Sequence, residues 1–395
     1  MFHSALAGWL LSPFGSRRSS GGILLAMSEN RLRSGFLVLA DISGYTAFLT
    51  ASELEHAQGV VEDLTNAILR SLTPPLSLVK LEGDCVFAHS REEASTDFVL
   101  DLVERAYCDF ADCRDDMQRR TTCTCTACAN IPTLDLKFVV HRGEYVVHSA
   151  GGQNDVAGPD VILAHRLLKN HVREETGCAA YALFTDAACA AAPGLALTRH
   201  AEEVEDFGEV QGAVLDLGES LERFRTTRRV FLEEGECDFS YTMHLPVSPA
   251  EAWDWWTDPT LLPQWQAEVE AERLERNQSG RRGVEGAMHC SHGSYETRAR
   301  YLDWQPFSYY TAERLPSRRV FTAPPRMVET VEFSRREDGG TAVTYRFRLK
   351  DRGLRSRLKL RLLAPMARRM FSKDADRLRT LIALRDEDAR LTAEG

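Results

Sequence analysis

Two aspartates stand where they could hold a divalent cation. Asp41 follows the apolar run Gly35-Phe-Leu-Val-Leu-Ala40 and opens Asp41-Ile-Ser-Gly-Tyr-Thr46, while Lys80-Leu-Glu-Gly-Asp84 puts a second aspartate at a tight turn. A carboxylate at a strand's end is exposed where the sheet stops. Two from adjacent strands offer the oxygen ligands that Mg²⁺ and Mn²⁺ share with substrate phosphates. Aspartate in either place also serves as an ordinary cap or turn residue, so the pair alone leaves both readings open.

A second cluster is sulfur-based. Cys123-x-Cys125-x-x-Cys128 brings three thiols into six residues, with Cys108 and Cys113 upstream as fourth ligands and Cys113 the preferred one. Tetrahedral thiolate ligation suits Zn²⁺, and an iron–sulfur centre uses the same ligand type. Reduced cysteines in a polar loop are the third reading. Eight of the ten cysteines precede residue 190, and the basic Arg17 and Arg18 follow the apolar stretch Ala5–Leu11. That order is the reverse of a signal peptide, so a disulfide framework is not expected.

These groups need elements to position them. At 395 residues the chain is long enough for two or three cores, and 44% hydrophobic with 27% charged residues is a globular composition. A net charge of −10 argues against nucleic acid as partner. No apolar run approaches the roughly 18–20 residues of a membrane span, so a cytoplasmic location is expected. Residues 1–34 are expected to be disordered, with Met27 as an alternative start. Gly35–Ala40 reads as a buried strand. Leu54, Ala57, Val60, Val61, Leu64 and Ile68 mark a helix that Thr73-Pro-Pro75 stops, and Glu82-Gly83-Asp84 turns a hairpin. Helices over 93–118 and 158–172 and strands at 134–140, 195–198 and 213–216 complete an α+β sandwich.

Asp41-Ile-Ser-Gly-Tyr-Thr46, Lys80-Leu-Glu-Gly-Asp84, Val139-Val-His-Arg-Gly-Glu144 and Asp155-Val-Ala-Gly158…Ala164-His-Arg166 occur in that order. Together they resemble the catalytic domain of class III nucleotide cyclases over roughly 35–217, in a bacterial branch of unknown function. The resemblance implies a ferredoxin-like sandwich, a two-ion Mg²⁺ or Mn²⁺ site at Asp41 and Asp84, and adenine read by Lys80 and Asp155. It further implies that Arg166 stabilises charge on the reacting phosphate. The expected activity is that of an adenylate cyclase-type phosphorus–oxygen lyase, converting ATP to cyclic AMP in a homodimer. Two positions depart from the family. Ile162 stands where a ribose-orienting asparagine belongs, and the late triphosphate lysine has no match, Gln211 lying nearest. A degenerate module that binds nucleotide or dimerises is therefore the alternative.

The second half has its own signature. Five of the six tryptophans lie between 253 and 304. Val247-Ser-Pro-Ala-Glu-Ala-Trp253, Trp265, Gly283–His292 and Asp303-Trp-Gln-Pro-Phe307 resemble the START-like helix-grip (SRPBCC, polyketide cyclase/dehydrase-like) superfamily. That resemblance implies an apolar cavity for a hydrophobic small molecule or lipid, lined by Trp256, Trp265, His289, Phe307 and Tyr309. The bland reading is that these aromatics fill the core. Residues 352–379 carry ten Lys or Arg against two Asp and read as the gripping helix, with Pro365 kinking or splitting it. The expected organisation is a cyclase-like domain over 35–225, a linker over 226–236, a helix-grip domain over 237–385 and a tail over 386–395.

Overall fold

The computed structural model describes residues 32–394 apart from 124, 151–152, 191, 193, 268, 293–294, 317–325 and 351–352; the expectation for 1–31 lies outside the described residues. Strand β1 (Leu32–Ser43) begins inside the segment expected to be disordered. Its Phe36, Val38, Ala40 and Ile42 enter one core and its Leu37 and Leu39 another. Burial on both faces is why it reads as one unbroken apolar run.

Helices α1 (Tyr45–Ala51) and α2 (Leu54–Leu72) follow, then the hairpin β2 (Ser77–Glu82) and β3 (Cys85–His89), helix α3 (Thr96–Arg120) and a short α4 (Thr126–Asn130). Next come β4 (Asp135–Ala150), β5 (Gln153–Ala157), α5 (Pro159–Arg166), α6 (Val172–Thr176), β6 (Tyr181–Thr185), α7 (Asp186–Cys189), β7 (Thr198–Val204), β8 (Gly208–Asp216) and α8 (Leu217–Thr226). The strands lie in the order β2-β3-β1-β4-β6-β8-β7, with β5 folded back on β4. The helix expected over 158–172 is two helices, because the Asn170 side chain accepts from the Val172 amide and donates to the Leu167 carbonyl. The strand expected at 195–198 lies later, at β7, whose inward residues include His200 and Glu202 and hide its apolar pattern.

The C-terminal unit comprises β9 (Phe239–Leu245), α9 (Pro249–Thr257), α10 (Leu262–Trp265), β10 (Ala271–Glu275), β11 (Ala287–Ser291), β12 (Glu296–Gln305), β13 (Tyr309–Pro316), β14 (Met327–Arg335), β15 (Thr341–Leu349) and α11 (Leu354–Glu394). Its sheet is antiparallel, ordered β10-β11-β12-β13-β14-β15-β9. Ser248 and Glu251 form the expected capping box of α9. Ala375, Leu378 and Ile382 of α11 pack into the sheet's core. The helix runs through Pro365 without being split there and continues over 386–394, the stretch expected as a tail.

The two units meet along α3. Asp97, Asp101 and Glu104 follow one another at helical spacing on one face. Arg276 pairs with Asp97 at 2.7 Å, Arg282 with Asp101 at 2.8 and 3.0 Å, and Arg281 with Glu104. The backbones also touch: the Ala196 amide donates to the Ser279 carbonyl, and Gly280, at φ +72°, lies so close to Gly194 that a Cβ would overlap the Gly194 carbonyl.

Candidate functional site

Asp41 leaves β1 between Cys85 of β3 and Lys137 of β4, its cross-strand partners. Gly83 takes the left-handed turn conformation (φ +67°) that lets the hairpin reverse, which sets Asp84 beside Asp41. Burial first, and the neighbouring Asp41 charge second, push the Asp84 carboxyl up to about 6. Two carboxylates crowded at a sheet edge form a donor set that a hard divalent cation fits. One cation is already part of the protein: Lys137 Nζ stands 3.2 Å from Asp41 Oδ2 and donates to the Leu168 carbonyl at 3.0 Å. The sequence reading missed Lys137, which the β1–β4 register sets opposite Asp41.

Lys80 reaches Asp155 at 3.3 Å and Glu82 at 3.0 Å. Burial works against the Lys80 charge, but Glu82 and Asp155 outweigh it and its pKa is raised. The structure therefore brings Lys80 and Asp155 together, through the return of β5 over the extended β4. His165 joins this edge, its Nε2 3.0 Å from Glu82 Oε2 and its ring edge-on to Phe87.

The His141-Arg-Gly-Glu144 segment anchors α5. Asp160, in the helix's first turn, accepts from the Glu144 amide at 2.6 Å and meets His141 Nε2 at 3.3 Å. A Cβ at Gly143 would overlap the Asp160 carboxyl, so glycine is required there. At the other end of α5, Arg166 turns to the β7–β8 turn, pairing with Asp206 at 2.8 Å and donating to the Glu205 carbonyl. It makes no ion pair with Asp41 or Asp84 among the described residues. Ile162 is 52% exposed on the same helix, and Gln211 donates to Glu209 at 2.6 Å.

The thiols of Cys123, Cys125 and Cys128 converge, and the fourth group among them is His56 of α2, all four donor atoms lying within 4.8 Å of one another. Cys113, the expected fourth ligand, is not among these four: its thiol points to the Asp63 carbonyl at 3.8 Å, in a surface groove between α2 and α3 that Cys128 also lines.

In the C-terminal unit, Trp256 and Trp265 are buried and pack on each other at 4.7 Å. Phe307, in a left-handed turn (φ +64°), packs against Trp253 and against Phe98 of the N-terminal unit. His289 and Tyr309 do not line the interior. Met288 and Cys290 face the core, so His289 faces the opposite way and meets Glu275 at 2.7 Å. Tyr310 likewise faces in, while Tyr309 donates to Asp303 and packs on Phe231. The side-chain parity of a strand decides both.

The interior holds a polar seam that sequence reasoning missed. Arg314 grips Glu329 at 2.7 and 2.9 Å, and Tyr345 donates to Glu329 at 2.8 Å. Glu272 accepts from the Cys290 thiol, but its Oε2 is buried without a hydrogen-bond partner, and burial pushes its carboxyl up to about 7 from an ordinary 4.5. The folded chain thus keeps a proton that the unfolded chain gives up, so this group's stabilising contribution is complete below about pH 4.5 and is lost as pH rises through 7. Glu272→Gln is expected to gain on wild type in urea midpoint between pH 5 and pH 8. An equal offset at both pH values would refute this.

Comparison with known proteins finds two separate family matches. Residues 61–176 match a family described as a protein of unknown function (DUF2652), and residues 236–383 match the polyketide cyclase / dehydrase and lipid transport family. An uncharacterized protein of Mycobacterium tuberculosis is 34% identical over 97 residues, a match that takes in 25% of this chain and only 46% of that relative's length. Among solved structures, a bacterial light-regulated adenylyl cyclase is 15% identical over 49% of this chain and 57% of that one, with a TM-score of 0.36. The adenylyl cyclase CyaB from P. aeruginosa is 18% identical over 47% of this chain and 95% of that one, with a TM-score of 0.34. Among the described residues no helix is long and apolar enough to cross a membrane. The chain thus joins an N-terminal unit that matches a family of unknown function to a C-terminal unit that matches the polyketide cyclase / dehydrase and lipid transport family.

Proposed function

We propose that residues 32–226 form an adenine-nucleotide site of the adenylyl cyclase type in a homodimer, and that the C-terminal unit binds a hydrophobic small molecule and bears on that site through the α3 joint. One observation carries the first part: a single sheet sets Asp84 beside Asp41 and, through the return of β5, brings Asp155 to Lys80. Asp41 and Asp84 would hold Mg²⁺ or Mn²⁺, which supplies charge for the phosphates and acidifies the attacking hydroxyl. Lys80 donates to a ring nitrogen of adenine and Asp155 accepts from its amino group, the pattern a purine with a 6-amino group presents. Leu78 and Leu81 on the edge strand β2, with Val146 and Ile162, are exposed apolar residues that a second copy would cover. The match to a family described by lipid transport supports the ligand of the C-terminal unit.

A second reading, binding without turnover, is favoured by Arg166 and Ile162. The guanidinium that would meet the reacting phosphate is held by Asp206, and an aliphatic side chain cannot orient a ribose. With Mn²⁺, ATP is expected to raise the melting temperature of wild type more than GTP does, and Asp41→Ala is expected to abolish the shift. Cyclic AMP from wild type but not from the variant establishes the cyclase; a shift without product establishes the binding module. An equal shift in the variant overturns both.

A further inference from the structure

The nucleotide reading leaves the cysteine loop without a role. We propose that His56, Cys123, Cys125 and Cys128 bind one zinc ion, with His56 Nδ1 as the fourth ligand, and that this ion pins the loop after α3 onto α2.

The geometry is that of a single tetrahedral ion. Bonds of about 2.3 Å to sulfur and about 2.0–2.1 Å to nitrogen put neighbouring ligand atoms about 3.6–3.8 Å apart. Here His56 Nδ1 stands 3.2 Å from Cys125 Sγ and 3.7 Å from Cys123 Sγ, and no pair among the four ligand atoms exceeds 4.8 Å. Closing around an ion therefore takes shifts of well under a side-chain length. A multi-iron cluster divides its cysteines between separate irons, which needs a wider set than this.

The loop is shaped independently of any ion. The Cys128 amide donates to Cys125 Sγ at 3.4 Å, and the Glu53 carboxylate accepts from the amides of Thr126 and Ala127 at 3.4 and 3.2 Å. An amide donated to a thiolate stabilises its charge and fixes the sulfur's direction, as the groups behind metal ligands do. Four protein ligands leave no open position, which makes the site structural.

Its place in the fold says what it would steady. The loop continues through Ile131–Thr133, and the Thr133 carbonyl lies 3.0 Å from where a Cβ of Gly44 would be. Gly44 is the left-handed residue (φ +87°) between the Asp41 strand end and α1. The ion would hold a strut against that turn.

The test uses the full chain purified without chelator. Elemental analysis is expected to find one zinc per chain in wild type and in Cys113→Ser, and to find it lost in Cys125→Ser and His56→Ala. Because either loss could follow from misfolding, His56→Cys is the companion variant: it is expected to keep one zinc, and its cobalt-substituted form to show visible bands shifted from those of wild type. Chelation of wild-type zinc is expected to lower the melting temperature by about 5 °C or more. Metal-free wild type, iron in place of zinc, or zinc lost from Cys113→Ser but kept by His56→Ala would each overturn the proposal. None of these readouts depends on nucleotide, so the zinc site and the nucleotide reading fail separately.

Discussion

Glu329→Ala is expected to destabilise the C-terminal unit by about 3–5 kcal/mol, the range for removing one partner of a buried ion pair. Glu329 is fully buried and holds both arms of Arg314 while accepting from the Tyr345 hydroxyl. Alanine would leave the largely buried Arg314 guanidinium without its ion-pair partner and a tyrosine hydroxyl with no acceptor. Most of the loss is the penalty on those survivors and little of it the net worth of the pair. Removing both charges, as Arg314→Met with Glu329→Leu, should therefore recover much of the stability. Urea unfolding followed by tryptophan emission measures it, since five of the six tryptophans belong to this unit. A single-variant loss below about 1 kcal/mol would place water around Glu329 and refute the account.

Arg282→Ala is the second large effect, also expected at about 3–5 kcal/mol, but it acts between the units. Asp101 sits on α3 with its side chain 4% exposed, and Arg282, 2% exposed, approaches it with two nitrogens. Without that arginine the carboxylate is stranded, and the least costly response is for the joint to open and let water in. Tryptophan emission should then report a C-terminal transition at lower urea than amide exchange in β1 and β4 reports for the N-terminal sheet. In wild type the two should coincide. Arg276→Ala removes a more exposed pair with Asp97 and is expected to cost about 1 kcal/mol or less. Coincident transitions in Arg282→Ala would mean that the joint does not rest on this pair.

The features readable in the sequence are those set by neighbours along the chain. Gly35–Ala40 as a doubly buried strand, the turn at Gly83 and the capping box at Ser248 and Glu251 each rest on a few consecutive residues, and each is where it was expected. The α+β organisation follows from them. What escaped depends on partners distant in sequence. His56 precedes Cys123 by a whole helix, strand pair and second helix, so no spacing rule connects them. Lys137 became part of the carboxylate edge only through the β1–β4 register. The buried arginines of the joint carry no local signal, because Asp97, Asp101 and Glu104 reach them from α3, far away in sequence. His289 and Tyr309 are a different failure, because the information was local. Counting alternate residues from Met288 and Tyr310 puts both on the outer face, and aromatic character alone obscured that parity.

Gly280 gives the joint a property that its charges cannot. Ion pairs attract over a range of distances and tolerate small sliding, but the bare backbone of Gly280 against Gly194 is a hard stop. A side chain at position 280 would have to wedge the two backbones apart there, so the contact between the units exists on that side because the chain carries no side chain at that point.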